Sequence, residues 1–155
     1  MPETKTDRLP DDALNLGDFL CFAVYSANHA FNRVYKPLLD KLGLTYPQYL
    51  AMVLLWSEDN QTVGGLGEKL FLESSTLTPL LKRLEALGLV KRSRDPADER
   101  QVRVHLTDQG RALREKAVEV PPCILEASGL ELEEAKRLLA EITALRNTLD
   151  RSSRG

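Results

Sequence analysis

The chain has 155 residues and a formal net charge of −2, with 43% hydrophobic and 28% charged residues. That length suits one domain and the apolar share suits an ordinary globular core. The weak acidity argues against non-specific coating of nucleic acid, while leaving room for a local basic face.

No run of about 18 apolar residues occurs, so no membrane-spanning helix is expected. Met1 to Arg8 lack the apolar stretch of a signal peptide, so a cytoplasmic location is expected. Cys21 and Cys123 lie too far apart in sequence for a metal ligand set or a secreted disulfide framework. In a reducing cytosol such a pair is more often free or redox-active than structural. His29 and His105 have no ligand-spaced partners, so neither a metal nor another cofactor is expected.

Residues 1–11 are polar and are expected to be loose. A long first helix is expected from Asn15, a cap, with Asp18 in its first turn. Its apolar stripe runs through Leu16, Phe19, Leu20, Ala23, Ala27, Phe31, Val34, Leu38 and Leu42. That stripe exceeds what a small domain would cover, and a dimer interface would use the excess. Pro37 is expected to kink or break the helix and Gly43 to end it.

Thr45-Tyr46-Pro47-Gln48 reads as a helix start, with Thr as cap, an early Pro and Gln at the capping-box position. The large side chains from Tyr49 to Trp56 make that helix a core element, with Trp56 a packing residue rather than a ligand-stacking one. Thr62 caps a short helix to about Leu70, with Val63, Leu66 and Leu70 inward. Gly64, Gly65 and Gly67 weaken it, so tertiary packing must hold it. A phosphate-cradling loop is disfavoured, because no strand is expected before these glycines and no Gly-Lys-Ser/Thr follows.

After a turn at Phe71 to Glu73, a second helix is expected from Ser74 or Ser75, either one a cap, to Leu87, with Gly88 as its stop. Leu77, Leu80, Leu81, Leu84 and Leu87 share one face at helical spacing. Ser75, Thr76, Thr78, Lys82 and Arg83 lie opposite. Such a face suits a major groove followed by phosphate contacts. Taken alone it suits a solvated surface equally well. Pro79 is expected to cost little so early in the helix.

Leu89 to Ser93 and Gln101 to Leu106 read as paired strands, the second alternating Val102, Val104 and Leu106 with polar residues. The polar connection carries Arg94 and Arg100 at its ends, as a loop entering a narrow minor groove would. Lys91, Arg92 and Arg103 add to this local basic excess. Thr107-Asp108 then caps a helix to about Glu119, Pro121-Pro122 breaks it, and Cys123 to Ala127 forms a short continuation. A last helix, Leu130 to about Asp150, has an apolar stripe that would pack on the first helix and on its twin from a second chain.

Three segments carry a resemblance: Leu77-Thr-Pro-Leu-Leu-Lys-Arg-Leu-Glu-Ala-Leu-Gly-Leu-Val90, Arg94-Asp-Pro-Ala-Asp-Glu-Arg100 and Leu106-Thr-Asp-Gln-Gly110. In this order they resemble the MarR family of bacterial regulators. Ser75 to Arg83, with a cysteine near the start of the first helix, resembles the organic hydroperoxide-sensing, OhrR-type branch of the two-cysteine kind. The resemblance spans roughly Leu14 to Leu149. It implies a mainly α fold with a small β-hairpin wing, a winged helix-turn-helix in a single domain over residues 1–155. Residues 1–45 and 108–155 would be dimerisation helices, and residues 46–107 the DNA-binding region.

The implied protein is not an enzyme. It is a homodimeric repressor bound to double-stranded DNA at an inverted-repeat operator, through Ser74, Ser75, Thr76, Thr78, Lys82, Arg83, Arg94, Asp98 and Arg100. The implied signal is an organic hydroperoxide, and the implied target gene encodes a thiol peroxidase of the organic hydroperoxide resistance type. Cys21 would be oxidised to a sulfenic acid and then bridged to Cys123 of the other subunit. Tyr35 and Tyr46 match family residues that hydrogen-bond the reactive sulfur from the partner chain. Tyr25, Phe19 and Phe22 would line the site and favour organic over hydrogen peroxide.

Read without the family, Cys21 is either a small buried hydrophobe or a thiol placed where amide dipoles favour a thiolate. Cys123 is either an inert packing residue or a resolving thiol. Two other functions stay open at this point: a repressor released by reversible binding of a phenolic or lipophilic ligand, and a peroxide-reducing enzyme with Cys21 as catalytic thiol.

Overall fold

A computed structural model describes residues 14–155. The polar segment expected over residues 1–11 lies outside the described residues. Asn15 caps only a short 3-10 turn, Leu16–Asp18, its Oδ1 accepting from the Gly17 amide at 3.2 Å. Phe19 is then extended, and the long helix α1 runs Leu20–Asp40. The expected start at Asn15 is thus too early by about a turn, because Gly17 and the extended Phe19 interrupt the helix. Cys21 consequently falls in the first turn of α1 rather than its second. Pro37 does not break the helix: it lies inside α1 on an exposed face, where the carbonyl it leaves unbonded can meet water. Gly43, at φ +71, closes the end, with the Leu44 amide returning to the Leu39 carbonyl at 3.1 Å.

Helix α2, Tyr46–Ser57, has the expected capping box: Gln48 Oε1 accepts from the Thr45 amide at 3.0 Å and Thr45 Oγ1 from the Gln48 amide at 3.3 Å. Strand β1 is only Gln61–Thr62, and helix α3, Val63–Leu70, follows with Thr62 as its cap. Helix α4 is Ser74–Ala86, and strands β2 and β3 are Val90–Arg94 and Val102–Leu106. The sheet is three-stranded and antiparallel, in the order β1-β3-β2, so the expected hairpin gains a third strand. A strand therefore does precede the α3 glycines, but two residues are too few to show alternation in the sequence.

Helix α5 is Asp108–Ala117, shorter than expected, and α6 is Val120–Ser128. Pro121 and Pro122 begin α6 instead of breaking a helix, since first-turn amides need no helical partner. Helix α7, Leu132–Arg154, starts from a capping box of Glu131 and Glu134. Among the described residues, no helix is long and apolar enough to cross a membrane.

The core sits within and beneath the helix-turn-helix. Ala51, Met52, Leu55, Leu66, Leu77, Leu81, Leu84 and Val104 are fully buried there, joined by Leu39, Val90, Ala117 and Val120. By contrast α1 buries only Leu39, and α7 buries none of its residues. Leu20, Phe22, Phe31 and Val34 of α1 and Leu138, Leu139, Ile142 and Leu149 of α7 remain exposed.

The Leu106-Thr-Asp-Gln-Gly110 segment shows why these residue types recur together. Thr107 Oγ1 accepts from the Gly110 amide at 3.0 Å and donates to the Gly88 carbonyl at 2.6 Å, fastening α5 to the end of α4. A β-carbon at Gly110 would run into the Leu89 carbonyl oxygen, so α5 approaches this closely only with glycine. Gly110 also accepts from Trp56 Nε1 at 2.8 Å. Replacing a helical glycine by alanine ordinarily gains up to about 1 kcal/mol, whereas forced overpacking costs about 1–3 kcal/mol. Gly110→Ala is therefore expected to lower stability in thermal or urea denaturation; a stabilised variant would show that the close approach is not limiting.

Candidate nucleic-acid interface and thiol site

Helix α4 presents Ser74, Ser75, Thr76, Lys82 and Arg83 to solvent, with Thr78 half-buried. Leu77, Leu80, Leu81 and Leu84 face the core as expected, but Leu87 does not; it is the C-cap and exposed. Neither serine caps the helix. The left-handed Phe71 and the extended Glu73 place Ser74 at the first helical position, and no side chain caps the helix start. Its first amides are thus left to water or an anion. Pro79 sits in the second turn on the exposed side.

The wing is ordered from within by Asp95, only 7% exposed. Its Oδ2 accepts from Arg103 Nε at 2.7 Å and its Oδ1 from the Ala97 amide at 2.8 Å. The Asp95 amide donates to the Gln101 carbonyl and the Gln101 amide to the Asp98 carbonyl, both at 2.9 Å. Arg103 Nη1 also reaches the carbonyl of Asn60, itself at φ 60, at 3.2 Å. The Arg103 hydrogen bond, then the Ala97 amide, hold the Asp95 carboxyl below the usual carboxylate range. In the same way the Arg92 backbone amide and guanidinium, at 2.8 and 3.3 Å, lower the Glu85 carboxyl.

The basic cluster read from the sequence therefore divides. Arg92 and Arg103 are committed inward. Lys91 is exposed, and Arg94 is exposed with Nη1 on the Glu99 carbonyl at 2.9 Å. Arg100, its side chain 92% exposed, is steered by Asp98, whose Oδ1 accepts from both its amide and its Nε at 3.1 Å. Sequence reasoning missed Asp95, Glu85 and Asn60. Asp95-Pro96-Ala97 did carry a signal, since an aspartate whose carboxylate takes the amide two residues on is an Asx turn.

Both cysteines are free and exposed. Cys21 lies on the wall of an apolar groove of about 690 Å³ with Leu20 and Val24 of α1, Phe71, and Ile142, Leu145 and Leu149 of α7. Phe19, Phe22 and Tyr25, expected to line the sensor site, are not on the lining of this groove within one chain. Phe19 precedes the helix, Phe22 sits next along it, about 100° around, and Tyr25 turns edge-on to His29 with ring centroids 4.5 Å apart. The surround of Cys21 is thus chiefly aliphatic.

Tyr35 and Tyr46 pack together, ring centroids 4.8 Å apart, with Tyr49 at 6.0 Å from Tyr35. Burial, then the neighbouring phenols of Tyr46 and Tyr49, push Tyr35 up to about 12, and burial also raises Tyr46 and Tyr49. All three stay neutral hydrogen-bond donors. They are not beside Cys21 of their own chain, since Tyr35 lies about four turns along α1, or about 21 Å of helix rise. Helix α6 docks through Val120 and Ile124 onto a cluster to which α1 contributes Tyr35, Leu38 and Leu39, leaving Cys123 exposed. One end of α1 thus carries Cys21 and the other Tyr35, while Cys123 sits on α6, a helix that packs against α1.

The family model described as Transcriptional regulator SarA/Rot matches residues 33–117. The organic hydroperoxide resistance transcriptional regulator of Bacillus subtilis is 47% identical over 138 residues, covering 89% of this chain and 94% of that protein. The chain belongs to the MarR family, in its OhrR-type branch. This MarR-family chain is also 50% identical over 139 residues to the HTH-type transcriptional regulator TtmR of Methylorubrum extorquens, covering 90% of this chain and 71% of that protein. Among solved structures, AbfR of Staphylococcus epidermidis is 39% identical with a TM-score of 0.74, covering 88% of this chain and 94% of that one. AbfR bound to DNA scores 0.71 both reduced and overoxidised, and its disulfide form scores 0.59. The protein is a DNA-binding transcriptional regulator with a winged helix, not an enzyme.

Because the folded Asp95 carboxyl is the stronger acid, folding favours its ionised form. The wing order it contributes is full above the ordinary carboxylate range and is lost as pH falls through the lower folded value. Amide-exchange protection at Ala97 and Gln101 should vanish on acidification before that of Val104, and Asp95→Ala should remove it at neutral pH. Wild-type protection in that variant would show that the carboxylate does not order the loop.

Proposed function

We propose that this regulator is a homodimeric repressor that senses organic hydroperoxides through Cys21 and releases an inverted-repeat operator once that thiol is oxidised. The separation along α1 carries the proposal: Cys21 stands at one end and Tyr35, packed on Tyr46, toward the other, with Cys123 on the α6 helix that packs against α1. Pairing the exposed apolar faces of α1 and α7 about a two-fold axis, with the α1 helices antiparallel, brings one subunit's Cys21 toward the other's phenols and Cys123.

The chemistry then balances. The Cys21 thiolate attacks a peroxide oxygen, the O–O bond breaks, and the alkoxide leaves to take a proton as the alcohol. Neutral phenols of the partner donate to the thiolate beforehand. The Cys123 thiol condenses with the sulfenic acid, forming the S–S bond and releasing water. Bridging needs the α-carbons within about 7 Å, so closing the bond moves the subunits if they begin farther apart. The AbfR structures favour the disulfide, rather than oxidation of the thiol alone, as the releasing step: that relative is on DNA when reduced and when overoxidised, and its disulfide form matches the present fold with a lower TM-score of 0.59.

On DNA, Ser74, Ser75, Thr76 and Thr78 face a major groove, Lys82 and Arg83 meet phosphate, and Arg94 and Arg100 reach the minor groove with Asp98 holding Arg100. Two-fold symmetry sets half-sites about one helical turn apart.

The apolar groove beside Cys21 favours one second reading, reversible release by a lipophilic ligand with Cys21 inert. DNA release that dialysis reverses without a thiol reductant would select it.

Cys21→Ser is expected to bind operator and to ignore cumene hydroperoxide in a gel shift, and release by that variant would dismiss Cys21 as the sensor. Cys123→Ser should form a sulfenic acid by mass spectrometry but no crosslinked dimer on non-reducing gels. Separately, Arg100→Ala should weaken operator binding by about 1–3 kcal/mol; wild-type affinity would refute the wing's role.

A further inference from the structure

The groove beside Cys21 joins parts of the molecule with different tasks. One wall is the start of α1, with Leu20, Cys21 and Val24; the other is α7, with Ile142, Leu145 and Arg146. Phe71, also on the lining, belongs to neither, being the residue at which α3 ends before α4 begins. On its other side a second concavity sets Glu68, Leu72 and Ser74 beside Asp150 and Arg154. The C-terminal half of α7 thus lies along the turn of the helix-turn-helix, with the Phe71 ring between them.

Two independent observations single out Phe71. Its backbone is left-handed, φ 57 and ψ 39, a conformation that costs a bulky L-residue and that glycine or asparagine usually fills. Its side chain is not used by the core, since the residue is 49% exposed. What the ring does meet is Arg146, whose guanidinium carbon stands 4.3 Å from the ring centroid.

We infer that the Arg146–Phe71 contact is the link within one chain through which the state of Cys21 reaches the DNA-reading helix. The inference rests on the sensor role proposed for Cys21. Any change at Cys21 that shifts the start of α1 against α7 moves Arg146. Arg146 carries Phe71, and three positions beyond Phe71 stands Ser74, the first residue of α4. The contact is a surface one, both residues being exposed, so its loss is expected to change the coupling and not the core. Arg146 and Phe71 are positioning residues; neither touches peroxide chemistry.

The test compares operator affinity before and after cumene hydroperoxide for wild type, Arg146→Gln, Arg146→Lys and Phe71→Asn, with Cys21 oxidation measured by mass spectrometry in each. Asparagine tolerates the left-handed backbone, so that variant removes the ring without adding strain. Couplings between sites commonly amount to about 5–150-fold. In Arg146→Gln and Phe71→Asn the ratio of reduced to oxidised affinity should fall to within about threefold of unity, with Cys21 oxidised as fully as in wild type. Arg146→Lys, which keeps the cation, should restore most of the ratio. A wild-type ratio in both Arg146→Gln and Phe71→Asn overturns the link while leaving the sensor role intact. A wild-type protein that keeps its operator after oxidation overturns the sensor role, and the link with it.

Discussion

Helices α1 and α7 form long apolar faces that their own chain leaves in water. Leu39 is the one buried residue of α1, and α7 has none. Burying a leucine or phenylalanine side chain is worth about 1.5–3 kcal/mol, and whole domains are stable by only about 5–15 kcal/mol. Covering several such residues on each of two chains therefore matters as much as folding one of them. In the proposed dimer a second copy supplies that cover and, by the same contacts, the groups that Cys21 lacks in its own subunit, so that sensing and pairing would draw on one surface. The reader has its own buried core, separate from that surface.

Charge in the reader is spent on shape before it is offered to DNA. Asp95 with Arg103, Glu85 with Arg92, and Asp59 with Arg111 each tie a strand or loop to its neighbour. Asp59 also accepts from the Leu106 amide at 2.8 Å, anchoring the base of the wing strand. What remains outward is a smaller set, Lys91, Arg94 and Arg100 around the wing and Lys82 and Arg83 on α4, with Arg94 held by the Glu99 carbonyl and Arg100 by Asp98. Fewer cations at defined sites favour sequence-dependent docking over loose attachment to any duplex.

Much of this was legible before any coordinates. Thr45 and Gln48 announced α2, the leucine spacing from Leu77 to Leu84 announced α4, and the alternation at Val102, Val104 and Leu106 announced β3, because each rests on local chemistry. The misplaced features depend on distant contacts. The start of α1 at Leu20 turns on an extended Phe19, and β1 exists only because β3 lies beside it. The prolines at 121 and 122 could begin a helix as readily as end one. The surround of Cys21 could not be read at all, since Ile142, Leu145 and Leu149 arrive from the far end of the chain. The inward pairing of Arg92 and Arg103 was hidden for the same reason: composition counts cations but not their partners.

The sequence contains a single tryptophan, Trp56, which lies in α2. Its indole nitrogen donates to the Gly110 carbonyl at 2.8 Å, bridging α2 to α5, while its ring packs against the core. Separation of α2 from α5 would break that bond and alter the wetting of the indole. The chain thereby carries a native fluorophore at the α2–α5 contact, whose emission in solution reports on that contact without any added label.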